Sequence, residues 1–505
     1  MTKDGIKVLL VYANSPMDNL IPIGVSLLSS ILKENGHKTK LFDTTFYNTK
    51  KETGDYVRVN TLQLKTGDLS QYGIHFKETD IIDDFRKTIE EFKPDLIGVS
   101  TVEPTLYVVR MLLTSIKDVK IPKIVGGLGV WFYDEIINED YLDMICIGEG
   151  EGALLDLANA IRDGKDYSNI KNLWVKKDGK VIKNDIRPLI DINKLPRQDR
   201  SIFEKKRFYK PMGGKVNITA AFEIARGCPR NCSYCANYAV NKMHRSRGMN
   251  YIRKKNVDKI IDEMEKSKKE LKLEYVFIYA ENFLWNLRGK DFDRFVSEYK
   301  KRINLPFWVE TDPESITDER FAKLEEIGCE NVSTGLEHGN EEFRKKMLKR
   351  STKNETIINA FKVVKKYKIR TSANNIIGFP EETRKLVFDT INLNRIIQPD
   401  NIIANVFAPY RGTWLRDYAI EHGYLQNVVD GGDIRSEDVI LNQPSLSIEE
   451  VLGLHRTFVL YASLPKSFWP DIEKSEKFTK EGNAMHKKLS EEYWKRKDEG
   501  KLFDW

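Results

Sequence analysis

Residues 6–14, IKVLLVYAN, form a near-continuous apolar run, the first of two series in which such runs alternate with helical segments. A strand apolar on both faces is buried on both, as in a parallel sheet covered by helices. IGVSLLSSILKENG then shows helical spacing and stops at Gly36, and KTKLFDTT reads as a second strand. Beyond a polar insertion at about 46–79, DLIGVSTV (95–102), KIVGGLG (123–129) and DMICIGEGEG (143–152) continue the pattern. Five strands separated by helices predict a doubly wound, Rossmann-like α/β domain over residues 1–165. Such domains bind ligands at the carboxyl ends of their strands. Those ends are crowded with small residues: Asn14-Ser15-Pro16, Ser100-Thr101, Gly126-Gly127 and Gly148-Glu149-Gly150. One glycine would serve a tight turn; four such ends together favour a ligand.

Residues 166–215 read as a connector, with a short hairpin (LWVKKDGKVIKN) turning at Asp-Gly. From 217 a second series follows: NITAAFEIARG, YVFIYAEN, PFWVETD, NVSTGLEHG, RTSANNIIGFP and NIIANVFAPY. Six strand–helix units predict an open, partial barrel over 216–415, with its chemistry at the carboxyl ends of the strands. Residues 416–505 are mostly helical and charged and are expected to close the barrel mouth. Tyr410, Arg411 and Trp414, at the end of the last strand, are candidate pocket residues.

At 505 residues the chain is long enough for about three domains. Its net charge of +7 is small against 82 basic and 75 acidic residues, and runs such as RKK (253–255) and KKYK (365–368) suit solvated helix faces. No dense basic cluster interleaved with aromatics points to nucleic acid. The apolar stretch IPIGVSLLSSIL is about half a membrane span, and MTKDG starts no signal-peptide pattern. Five cysteines, three of them clustered, are not a disulfide framework. A reduced, cytoplasmic compartment is expected, with neither membrane nor nucleic acid as partner.

The clustered three lie in RGCPRNCSYCANY (226–238), directly after the first barrel strand: Cys228, Cys232 and Cys235. Structural zinc takes four ligands, and His244 could complete a Cys₃His set. A 4Fe–4S cluster normally takes four cysteines. With three, one iron stays open to chelate a small molecule. Cys146 and Cys329 stand apart and are expected to pack as small apolar residues.

C-x-x-x-C-x-Φ-C, with Φ aromatic, at this place in a six-unit barrel resembles the radical S-adenosylmethionine superfamily. The resemblance implies that the three cysteines hold a 4Fe–4S cluster whose open iron binds S-adenosylmethionine, which on reduction gives methionine and a 5′-deoxyadenosyl radical. Further matches imply S-adenosylmethionine contacts at Tyr234, at Glu281 and Asn282 of AENF, and at Glu337 of GLEHG, where His338 replaces the family's Ser. NNIIGFPEE resembles G-x-I-x-G-x-x-E through Ile376, Gly378 and Glu381, with Asn374 in place of the first Gly.

The N-terminal half, with PIGVSLLSSILKENGHKTKLFD, PDLIGVS, IVGG and IGEGEG in that order, resembles the cobalamin-binding branch of the superfamily. Cobalamin contacts are then implied at Asn14, Ser15, Pro16, Gly24, Ser100, Thr101, Val102, Glu103, Gly126, Gly127, Leu128, Gly148, Glu149 and Gly150. The D-x-H-x-x-G motif of some cobalamin proteins is missing: YANSPMDNLIPIG contains no His, so this motif supplies no His ligand to cobalt.

The branch implies an oxygen-sensitive methyltransferase. It would move a methyl group from methylcobalamin to an unactivated centre of a small-molecule or peptide substrate, with electrons from flavodoxin or ferredoxin. Members of the branch that catalyse ring formation or rearrangement, a Rossmann-like domain that has lost its corrin, and a non-enzymatic zinc module are the alternatives. No general base is identifiable without a substrate pose.

Overall fold

The computed structural model describes residues 4–503 except 19, 51–52, 66–68, 213 and 426–440. In the first sheet, β1 (Lys7–Tyr12), β2 (Lys38–Asp43), β3 (Leu96–Ser100), β4 (Lys123–Gly126) and β5 (Met144–Cys146) run parallel in the order β2-β1-β3-β4-β5. Helices cover both faces, which is why β1 is buried and apolar from Val8 to Val11 and β3 from Leu96 to Val99.

The hairpin expected within the connector belongs to this sheet. Strands β6 (Leu173–Lys177) and β7 (Lys180–Lys183) extend it antiparallel beyond β5, with Met144 opposite Val175. The physical reason is burial: Leu173 and Val175 enter the same core as Met144 and Cys146. Asp178 and Gly179 turn the hairpin with φ of 50° and 73°, the left-handed pair that a two-residue turn demands.

The second sheet has the order β16-β15-β14-β13-β12-β9-β8. Strands β9 (Lys215–Glu223), β12 (Tyr275–Tyr279), β13 (Phe307–Thr311), β14 (Cys329–Glu337), β15 (Arg370–Ile377) and β16 (Asn401–Val406) are the six parallel strands of the barrel, and β8 (Tyr209–Met212) pairs antiparallel at one edge. Val276, Ile278, Phe307, Val309 and Val332 point out into the helix-packed core. Alternation therefore turns Phe277, Glu310, Ser333 and Asn374 into the barrel. A short ladder, β10 (Ala225–Arg226) with β11 (Arg253–Lys254), brackets the cysteine loop.

The last strand, β16, is an edge with unpaired backbone groups, and the polar insertion of the first domain covers it. The Gln63 side-chain amide donates to the Ala404 carbonyl (2.8 Å) and accepts from the Ala404 N–H (3.1 Å), in the way a neighbouring strand would. Leu62 is buried beside it in the core of β15 and β16.

The C-terminal helices do not close the barrel mouth, as the sequence led us to expect. Ile448–Ser463, Trp469–Ser475 and Lys480–Asp498 pack outside β15 and β16, because Leu454 and Phe458 bury against Ile377, Ile402 and Val406. The helix Trp414–Glu421 does approach the cysteines, since the Leu415 N–H donates to the Ser233 carbonyl at 3.1 Å. Arg411 is a domain bracket rather than a pocket residue. It pairs with Glu103 at 2.6 Å, both less than 10% exposed, and lies 3.9 Å over the Tyr133 ring. Among the described residues no helix is long and apolar enough to cross a membrane.

Candidate active site

The cysteine loop is fixed from several directions. Asn241 Nδ2 donates to the Cys228 carbonyl (2.9 Å) and the Cys235 N–H to the Cys232 carbonyl (3.1 Å). Ser233 donates through its N–H to the Leu348 carbonyl (3.2 Å) and through its hydroxyl to the Met347 carbonyl (2.5 Å). Arg230 ties the loop to Asp312, just beyond β13, at 2.6 Å. Burial pushes all three thiols up, Cys228 to about 12. Thiols held there ionise readily only beside a strong positive partner, which is what a metal centre provides.

Among the described residues no three His, Cys, Asp or Glu side chains converge closely enough for a single ion. His244 is turned away from the cysteines: Nδ1 donates to the Val240 carbonyl (2.9 Å), and the ring packs 4.7 Å from Tyr251. The donor set is thus three thiols without a fourth protein ligand, which fits a 4Fe–4S cluster with one open iron and not a closed zinc site.

The other expected residues gather beside the loop. Tyr234 packs edge-on to Phe379 (5.8 Å) in a cluster that includes Ile376. Glu337 ends β14 at φ 66°, where the register with β15 shifts between Gly335 and Glu337. Such a bulge re-aims a side chain. A Cβ on Gly335 would collide with the Glu337 carboxylate, which explains the glycine two residues earlier. Arg350, which sequence reasoning did not single out, donates to Glu337 (3.1 Å), to the Gly335 carbonyl (2.9 Å) and to the Tyr234 hydroxyl (3.4 Å).

Three carboxyl groups end neighbouring strands: Glu281 after β12, Glu310 in β13 and Glu337 in β14. Burial raises Glu281 and raises Glu337 against the pull of Arg350. Glu310 is pushed from 4.5 to about 7 by burial and by the charges of Glu281 and Glu337. It was not legible in sequence, where one glutamate in a strand looks like any other.

Asn282 differs from expectation. Its Nδ2 donates to Asp312 (2.7 Å), and its Oδ1 accepts from Thr311 (2.9 Å) and the Trp285 N–H (3.3 Å), so it props Asp312 against Arg230. Gly378 has φ 81°, and its N–H is capped by Glu382, not Glu381, at 2.5 Å. His338 Nδ1 accepts from the Asn340 N–H (3.0 Å), so Nε2 carries the proton and donates to Glu382 at 3.0 Å. The His-for-Ser departure therefore couples the ends of β14 and β15.

Between the domains lies a cavity of about 460 Å³. Gly24, Ser100, Gly126, Gly127, Leu128, Gly148, Glu149 and Gly150 line it from the first domain. Arg226, Gly227, Ala236, Asn237 and Glu281 line it from the barrel. Gly127 (φ 98°) and Gly148 (φ 96°) are dictated by their own backbone. Gly24 is not: it sits in the first turn of the helix Ile23–Glu34 with nothing within 4 Å of an added Cβ. That is free space which the fold itself does not require, and it fits a bulky ligand. Leu20, Ile21, Pro22 and Ile23 form its wall after β1, where a D-x-H-x-x-G histidine would stand.

Asn14, Ser15, Pro16, Thr101, Val102 and Glu103 do not line this cavity. Asn14 donates to Thr45 Oγ1 (2.9 Å), Thr101 bonds Thr105 (2.9 Å), and Glu103 is spent on Arg411. Arg226 and Arg253 were missed. Arg226 reaches Glu149 (2.8 Å), Glu151 (2.7 Å) and Glu223 (3.0 Å), and Arg253 joins Glu149. Although burial works against its charge, these two arginines hold Glu149 below the usual carboxylate range.

Residues 222–393 match the model of the radical SAM superfamily, and residues 9–158 match that of the B12 binding domain. An uncharacterized methyltransferase of Pyrococcus horikoshii is 25% identical over 77% of this chain and 83% of its own length. The anaerobic magnesium-protoporphyrin IX monomethyl ester cyclase of Rubrivivax gelatinosus is 28% identical over 71% of this chain and 62% of its own. In fold the chain is similar to the radical S-adenosylmethionine methyltransferase TsrM of Kitasatospora setae, solved with cobalamin and a [4Fe–4S] cluster. That likeness has a TM-score of 0.68 at 14% identity and covers 97% and 99% of the two chains. The chain thus joins a radical SAM domain to a B12 binding domain, which together imply a 4Fe–4S cluster, S-adenosylmethionine and cobalamin as its cofactors.

Proposed function

We propose that this enzyme methylates an unactivated centre of a small-molecule or peptide substrate after a hydrogen atom has been removed from it. One observation carries the reading: Gly227 and Ala236, which flank Cys228 and Cys235, line the same cavity as Gly126 and Gly148 of the first domain. These residues would hold a corrin in a cavity that the cysteine loop also lines. The cofactors supply the difficult chemistry, cobalamin as methyl carrier and the cluster with S-adenosylmethionine as the source of the radical.

The chain supplies position and dryness. Cys228, Cys232 and Cys235 would hold the cluster. Glu281 and Glu337 would bind polar groups of S-adenosylmethionine, Tyr234 and Ile376 would pack beside its adenine, and Gly378 lets the backbone turn beneath it. Ser100, Gly126, Gly148 and Glu149, with Gly24, would seat cobalamin. Glu310, with Ser333 and Asn374 on the same inner face, offers the substrate a polar wall. The Ile21–Gly24 segment carries no imidazole and would offer bound cobalamin no His ligand.

Electrons come from a reductant, which we take to be flavodoxin or ferredoxin. Five free cysteines and a labile cluster favour the cytoplasm. The test is anaerobic: iron and cobalt are quantified on reconstituted protein, and the product of a candidate substrate is weighed. About four irons and one cobalt per chain with a methyl-group mass increase are expected. Iron without cobalt, even after cobalamin is offered, would remove methyl transfer. A product of ring closure without added mass would establish the cyclase chemistry instead.

A further inference from the structure

Residues 344–353, RKKMLKRSTK, carry six basic residues and no acidic one. Arg344 and Arg350 are turned inward, Arg344 to the carbonyls of His338 and Thr352 and Arg350 to Glu337 and Tyr234. Lys345, Lys346, Lys349 and Lys353 are exposed. Several lysines elsewhere on the surface are neutralised, such as Lys33 by Asp199, Lys117 by Asp140, Lys300 by Glu326 and Lys366 by Asp318. The four at 345–353 pair with no carboxylate among the described residues; Lys349 Nζ donates to the Lys346 carbonyl (2.9 Å) and lies 4.6 Å over Trp414. The acids on the same helix, Glu341 and Glu342, are in its first turn, and Glu341 is occupied by the Asn354 N–H.

This unneutralised row sits directly over the cysteine loop. The carbonyls of Met347 and Leu348, between Lys346 and Lys349, are the groups that clamp Ser233, which lies between Cys232 and Cys235. A positive patch one backbone layer from the cysteines is where an acidic carrier could bring its redox group close. Complementary charge of this kind sets encounter rate and orientation.

We propose that Lys345, Lys346 and Lys349 form the docking surface for an acidic flavodoxin-type electron donor. This rests on the radical reading above. One electron leaves the donor's reduced flavin and enters the cluster. Without substrate it is consumed when the C5′–S bond of S-adenosylmethionine breaks into methionine and a 5′-deoxyadenosyl radical. That radical becomes 5′-deoxyadenosine by taking a hydrogen atom from the thiol in the buffer.

The experiment follows 5′-deoxyadenosine made by the reconstituted full-length enzyme without substrate. It is driven either by an acidic flavodoxin with its NADPH-dependent reductase or by photoreduced 5-deazariboflavin, a small neutral reductant. In Lys345→Glu/Lys346→Glu/Lys349→Glu, the flavodoxin concentration for half-maximal rate should rise roughly tenfold or more, while the deazaflavin-driven rate stays unchanged. Salt should weaken the wild-type response to flavodoxin and leave the variant's nearly flat. A control, Lys272→Glu/Lys300→Glu/Lys301→Glu, reverses three charges just before β12 and β13, at the opposite end of the strands, and should match wild type. Unchanged half-saturation in the first variant, an equal rise in the control, or a matching loss with deazaflavin overturns the docking surface. Deazaflavin activity with none from flavodoxin overturns the donor class. No 5′-deoxyadenosine from wild type with either reductant overturns the radical reading itself.

Discussion

At the residue scale, the site is a set of carboxyl groups and thiols whose charges are governed by burial. Glu310 shows it best. Its carboxyl is raised from 4.5 to about 7, so the folded protein holds a proton there that the unfolded chain has released. Stability attributable to this group is therefore undiminished below about pH 4.5 and falls as pH rises toward 7. Glu310→Gln should remove up to about 3 kcal/mol of that slope. Melting temperatures of both proteins between pH 5 and 8 should diverge with rising pH in favour of the variant; parallel curves would show that Glu310 is not held protonated. Cys232→Ala should abolish reductive cleavage of S-adenosylmethionine while the cobalamin domain still binds its corrin, read as loss of 5′-deoxyadenosine with retained corrin absorbance. The cysteines were legible because three thiols in eight positions have few other uses. Arg350, Arg226 and Glu310 were not, because each acquires its role from partners that the fold brings in from elsewhere in the chain.

At the scale of elements, strand ends do the positioning, and their glycines divide into two kinds. Gly127 and Gly148 meet the needs of their own turns, whereas Gly24 leaves an unfilled space. A glycine within a helix costs up to about 1 kcal/mol relative to alanine, and leucine is close to alanine. Gly24→Leu should therefore keep or raise the melting temperature while cobalamin retained after reconstitution and gel filtration drops several-fold. Retention equal to wild type would place the corrin elsewhere. Apolar runs revealed the central strands of the first sheet, which helices cover on both faces, whereas the barrel strands, polar on their inner face, showed through their alternation with helical segments. The ladder of β10 and β11 was invisible, since two residues carry no periodicity. Glu103 read as a ligand contact because it follows the small-residue strand end Ser100-Thr101; in the fold its partner is Arg411, 308 residues away.

At the scale of the whole molecule, the two domains are fastened by groups that no single domain can satisfy. The Glu103–Arg411 pair is buried on both sides. Breaking a buried pair from one side strands a charge and costs about 3–5 kcal/mol, whereas removing both charges costs far less. Glu103→Gln and Arg411→Met should each lower the melting temperature by more than the double variant does. If the double variant is the least stable of the three, the bracket is not what joins the domains.

Gln63 adds a second kind of fastening. By presenting its amide to Ala404 as a neighbouring strand would, it leaves the barrel dependent on a loop more than three hundred residues upstream for a finished edge. A gene fragment beginning at residue 166 would encode every barrel strand and still yield a sticky protein, self-associating through β16. The cobalamin half is thus also the barrel's built-in solubility partner, and the two halves cannot easily be traded apart.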